Sequence, residues 1–112
     1  MKVNDVLLND NFQLLSNDSG INNNITKLFA SDLLSHVMGH AGEGNTLITV
    51  LNNINVLGVA SLLDMSCVIF SDGVKVNDGI ITKANELQIP IIKTKLSTVD
   101  TVIIISNLEL NY

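Results

Sequence analysis

From residue 46 onward, apolar positions alternate between two periods. T-L-I-T-V-L (46–51) is a β-branched apolar run, as expected of a strand covered on both faces. Behind it, Val56, Val59, Ala60 and Leu63 fall at helical spacing, and C-V-I-F (67–70) is the next strand. Ser71-Asp72-Gly73 closes that strand with turn residues. A helix is expected over 77–87, with Ile80, Ile81, Ala84 and Leu87 on one stripe. Pro90 then introduces a strand at I-I-K-T (91–94). In S-T-V-D (97–100) a serine stands three residues before an acid, a capping-box pattern that opens a last helix. Its T-V-I-I-I-S composition suits a strand, yet Val99, Val102, Ile103 and Ser106 share a helical face, and this face is expected to cover the sheet.

Upstream, V-N-D-V-L-L (3–8) predicts a short helix, and F-Q-L-L-S (12–16) and I-T-K-L-F-A (25–30) predict strands. Residues 31–38 predict a helix with Ser31 or Asp32 as its N-cap and an apolar stripe through Leu33, Leu34, Val37 and Met38. Strands alternating with helices imply right-handed β-α-β crossovers. The expected fold is a small three-layer α/β domain over 1–112, with a mostly parallel sheet and helices on both faces.

Composition narrows the function more than the fold. The chain is 46% hydrophobic but only 4% aromatic, so Ile, Leu and Val must build the core. Its formal net charge is −5 and all six basic residues are lysines. Nucleic-acid binding needs a clustered basic face and favours arginine forks, so no nucleic-acid partner is expected. Lys93 and Lys95 remain as a local pair for one small anion. No apolar run is long enough to span a bilayer, so no membrane partner is expected. One cysteine and an N-terminus that turns polar at once lead to the expectation of a reducing, cytoplasmic setting.

Ligands of open α/β sheets lie beyond the C-terminal ends of the strands, near a topological switch point. That rule selects Ser31-Asp32, the stretch from Thr49 through Asn52, Asn53 and Asn55, Ser71-Asp72-Gly73, and Thr94 with Lys95 and Ser97. Helix N-termini near these loops offer amides to an anion. The same residue types are also ordinary caps and turn formers, which is the competing reading.

S-H-V-M-G-H-A-G-E-G-N (35–45) looks more chemical than it is. Phosphate-cradling glycines follow a strand and open a helix, whereas Gly39, Gly42 and Gly44 follow a helix and precede a strand. Gly39 or Gly42 is expected to end the helix at positive φ. That stop separates His36 from His40, so no metal site is assigned. Cys67, in mid-strand, is expected to be inert, and Asp64, Asp72 and Asp78 to mark helix ends and turns. No G-x-S-x-G elbow supports a triad. Neither catalytic residues nor a cofactor are assigned.

A-S-D-L-L-S-H-V-M (30–38), L-I-T-V-L-N-N-I-N-V-L-G-V-A-S-L-L (47–63), V-I-F-S-D-G (68–73) and I-P-I-I-K-T-K-L-S (89–97) together resemble DRTGG domains. That family is similar in fold to the N-terminal domain of HPr kinase/phosphorylase. The resemblance implies a regulatory or dimerising module, hence a homodimer, with a small nucleotide-like or anionic ligand. Its alternative implication is an interaction module docked on a partner enzyme of metabolic or redox type, such as a hydrogenase system. In this alignment the family's Asp-Arg falls on Asn52-Asn53 and its Thr-Gly-Gly on Ser71-Asp72-Gly73. Losing the arginine and gaining Asp72 predicts weaker anion binding at those loops.

Overall fold

A computed structural model describes residues 1–108. The elements run α1 (Val3–Leu7), β1 (Gln13–Leu14), β2 (Lys27–Ala30), α2 (Leu34–His40) and β3 (Asn45–Thr49). After these come α3 (Asn55–Leu62), β4 (Cys67–Phe70), α4 (Asp78–Leu87), β5 (Ile91–Lys93) and α5 (Thr98–Leu108). The sheet order is β1-β5-β4-β3-β2. Strands β2 to β5 are parallel neighbours in sequence order, and β1 pairs antiparallel with β5 through Gln13 opposite Lys93.

This order explains the layers. Right-handed crossovers that always step in one direction must all lie on one face. Accordingly α2, α3 and α4 share a layer, where Val37, Val56, Leu57, Ala60, Ile80 and Ala84 pack on Leu47, Val68, Phe70 and Ile91. Of the helices that follow a parallel strand, α5 after β5 is the one on the opposite face. There α5 joins α1, and Val3, Val6 and Ile105 pack on Ile48, Ile69 and Ile92. Residues alternate between the faces along each strand, and both faces are covered, so every residue of β3 and β4 is buried.

Several expectations need correction. Strand β3 stops at Thr49 rather than Leu51, because Asp32 takes the Val50 N–H (3.0 Å) out of the ladder. The same engagement keeps Asp32 from capping α2, whose N-cap is Leu33 with no side-chain bond. The stripe of α2 is half wrong: Val37 is buried, but Leu33 and Met38 are exposed. On α5 the covering face is Thr101 and Ile105, whereas Val99 and Ile103 point outward.

Helix α2 also runs through Gly39 and His40, and only Gly44 of the three glycines has positive φ, +77°. His36 and His40 therefore do share a side. Their rings stack at 4.1 Å between centroids, and His40 Nδ1 lies 3.0 Å from the His36 carbonyl oxygen. Among the described residues, no group of three or more His, Cys, Asp or Glu is placed to hold a metal ion. No helix of the described residues is long and apolar enough to cross a membrane.

Cys67 is fully buried opposite Thr46, whose hydroxyl lies 3.4 Å from the sulfur. Burial pushes its thiol from 9.0 up to about 12, against a smaller lowering by the Thr46 hydrogen bond. The folded pKa is the raised one, so the unfolded chain gives up this proton first. Stability is fully present below pH 9 and is lost as pH climbs toward 12. Between pH 8 and 10.5 this group alone should cost about 2 kcal/mol. Urea denaturation of the wild type and Cys67→Ala at both pH values checks this: the pH-dependent loss should be smaller in the variant by that amount. Equal losses would mean that the thiol ionises in the folded state.

Candidate functional site at the strand ends

The parallel strands deliver their C-terminal loops to one edge of the sheet, where hydrogen bonds tie them into a row. Asp32 Oδ1 accepts from Thr49 Oγ1 (2.8 Å) as well as from Val50 N, which fastens the loop after β2 to the end of β3. Asn52 Nδ2 donates to the Lys75 carbonyl at 2.7 Å, linking the loop after β3 to the one after β4. Ser71 Oγ and Thr98 Oγ1 lie 2.8 Å apart, so the end of β4 meets the start of α5.

The turn after β4 is set by local chemistry. Asp72 (φ +59°) and Gly73 (φ +65°) are both left-handed, and Val74 N donates to Ser71 O at 3.3 Å. Two successive positive φ values are the signature of a tight primed turn, for which Asp-Gly is a favoured pair. The turn is then clamped to the next loop: Asp72 N donates to Leu96 O (2.7 Å) and Gly73 N to Thr94 O (2.9 Å). Segments 71–73 and 94–96 thus form one unit.

The remaining predicted positions act locally. Ser31 Oγ accepts from Leu33 N, Asn53 Oδ1 from Asn55 N, and Ser97 Oγ from Asp100 N at 3.0 Å, a cap on α5. Thr94 Oγ1 accepts from Leu96 N. The side chain of Asn55 is exposed, as is that of Lys95. For Ser31, Asn53 and Ser97 the cap-and-turn reading describes what the side chains do.

The four loops lie in a row and do not converge on one crevice. With β2 to β5 in sequence order, the parallel strands have no reversal and hence no central switch point. A cleft of about 710 Å³ opens instead at the β1–β5 end of the row. Its walls are the N-terminal segment (Asp10, Asn11, Gln13 and Leu15), the turn at 73–76, and 93–95. Of the predicted site residues only Gly73, Thr94 and Lys95 line it. Gln13 and Lys75 escaped the sequence reading because nothing local marks them: Gln13 reaches the cleft through the antiparallel pairing with Lys93, Lys75 through the clamp on Thr94. The i, i+2 pair Lys93 and Lys95 was the readable signal, since such positions share a side of extended chain.

Fold and site together define a small open-sheet α/β module with its polar loops gathered at the strand ends. The model of the DRTGG domain matches residues 12–108, and the chain belongs to that family. Among solved structures, it is similar to the CBS and DRTGG domains of the regulatory region of Clostridium perfringens pyrophosphatase, complexed with the activator diadenosine tetraphosphate. The TM-score is 0.73 at 15% sequence identity, over 96% of this chain and 46% of that one. At that identity the likeness speaks to the fold, and the chain spans about half the length of that structure. A search of curated proteins returns no match.

Proposed function

We propose that the protein is a non-catalytic regulatory or accessory module that pairs with a second copy of itself. It senses a small nucleotide-like or anionic ligand at the strand C-terminal loops. The observation that carries this reading is the DRTGG fold itself, which in the pyrophosphatase belongs to the regulatory region. The row of hydrogen-bonded loops adds a means of response, because a ligand that moves one loop pulls on its neighbours. For pairing, the outer stripe of α5 is the suitable face. Val99 and Ile103 are exposed there, and Asp100 is the helix's one charge, so two copies of net charge −5 meet without strong repulsion.

A second reading is favoured by exposed Leu33 and Met38 around α2 and Ile54 and Leu62 around α3, two adjacent helices. On this reading the module docks on a partner enzyme through that layer and binds no small molecule.

A thermal-shift screen of nucleotides and small metabolites at millimolar concentration, with ATP and phosphoester turnover assayed in parallel, separates these. Stabilisation without turnover supports sensing. Stabilisation by none of them leaves the docking reading, and turnover lost on changing one loop residue overturns both. Sedimentation equilibrium should give a dimer that Ile103→Lys dissociates; a wild-type monomer contradicts the pairing.

A further inference from the structure

Three of the chain's six lysines line the edge cleft, although the chain as a whole is acidic. Lys93 ends β5 on the face shared with Ile91, Lys95 follows two residues later, and Lys75 faces them from the turn after β4. Their backbones are held. The turn carrying Lys75 is clamped by the bonds from Asp72 N and Gly73 N, and its carbonyl accepts from Asn52. None of the three has an ion-pair partner among the described residues, where Lys83 with Glu86 is the pair formed. Asp10 is the one acid on the cleft wall. Three lysines against one carboxylate give this cleft a local positive charge in a chain of opposite sign, which favours an anion.

The other wall materials narrow the ligand. Leu15, Val74 and Val76 give the cleft apolar surface, which an inorganic ion leaves unused. Asn11 and Gln13 supply amides, and Asp10 an acceptor, for hydroxyl or amino groups. The volume lies within the range of small-molecule sites. Resting on the sensing reading above, we propose that the ligand is a small organic polyanion bound in this edge cleft. Its phosphates or carboxylates sit among Lys75, Lys93 and Lys95, and its carbon skeleton lies on Leu15, Val74 and Val76. The site is thereby moved from the centre of the loop row to its β1–β5 end.

Isothermal titration of the full chain with ATP, citrate and inorganic phosphate tests this, using wild type, Lys93→Gln/Lys95→Gln, the single Lys95→Gln and Asn53→Ala. The lysines are exposed, so circular dichroism should match wild type, and the single variant serves if the double one misfolds. Saturable binding of ATP or citrate is expected, tighter than that of phosphate and weakened about tenfold or more in the double variant. Asn53→Ala should bind like wild type. A preference for ATP assigns phosphates as the recognised groups, and one for citrate assigns carboxylates. Binding unchanged by the lysine substitutions overturns the cleft and leaves the sensing reading intact. Failure of all three probes to bind overturns the polyanion, and the sensing reading falls only if the wider screen is also empty.

Discussion

Phe70→Ala should destabilise the protein by about 3–5 kcal/mol, out of a total of roughly 5–15 kcal/mol for a domain of this size. Phe70 is fully buried and ends β4, an interior strand flanked on both sides by parallel neighbours. It packs in the layer formed with α2, α3 and α4, and an alanine there leaves a cavity that β3 and β5 hold open. The effect reaches the site. Phe70 O accepts from Thr94 N at 3.0 Å, and Ser71 follows directly, so loosening β4 loosens the clamp between 71–73 and 94–96. Urea denaturation followed by far-UV circular dichroism measures the loss. Leu8→Ala, at an exposed position just after α1, is the control and should change stability by no more than about 0.5 kcal/mol. A loss below about 1 kcal/mol for Phe70→Ala would mean that Phe70 is not packed as described.

Gly44→Ala carries the second large effect, with two separable causes. Gly44 sits at φ +77°, where an L side chain costs about 1–2 kcal/mol. A Cβ there would also lie 2.7 Å from both Cγ2 and Oγ1 of Thr26. Thr26 has little freedom to yield: its hydroxyl donates to the Glu43 carbonyl and accepts from Asn45 Nδ2, while Thr26 N donates to Gly44 O. Overpacking of this kind adds about 1–3 kcal/mol. In a Thr26→Ala background both clashing atoms are gone and only the Cβ contact at 3.2 Å remains. Gly44→Ala should then cost less, by roughly the overpacking part. Equal costs in the two backgrounds would leave backbone strain as the whole effect.

The sequence made the core of this fold readable wherever one local rule sufficed. C-V-I-F matched β4 residue for residue, because an interior parallel strand needs an unbroken apolar run. Ser97 behaved as capping chemistry predicts, accepting from Asp100 N, whereas Asn77, expected as the first helical residue, stands outside α4 and caps it through Ile80 N. What escaped was decided by groups far apart in the chain. Asp32 reads as a helix cap, but Thr49 at the end of β3 and Val50 just beyond it compete for its carboxylate and win. The stripe Val99, Val102, Ile103 and Ser106 has helical spacing, yet the face of α5 turned to the sheet is the one with Thr101 and Ile105. In a helix with apolar residues almost all round, periodicity does not select the covered face.

The site followed the same division. Strand-end geometry placed these loops beyond the C-terminal ends of the strands, since that follows from the alternation of elements alone. Strand order is not written in any single segment, so the missing switch point and the edge cleft were invisible. The opening of a cleft between 10–15 and 73–76 depends on β1 adding antiparallel to β5, a pairing of residues about eighty positions apart in sequence. Gly39 is a smaller instance. It looked like a helix stop, but α2 passes through it and leaves the left-handed turn to Gly44.

The most direct test of ligand sensing at the strand ends is an amide nitrogen–proton correlation spectrum of the full chain, titrated with the organic anion that stabilises it best. Saturable shifts confined to residues 10–15, 71–76 and 93–97, with smaller ones at Asn52 and its neighbours through the Lys75 link, are the predicted result. Shifts centred on α1 or the outer face of α5, or no saturable shift at any residue, would contradict it.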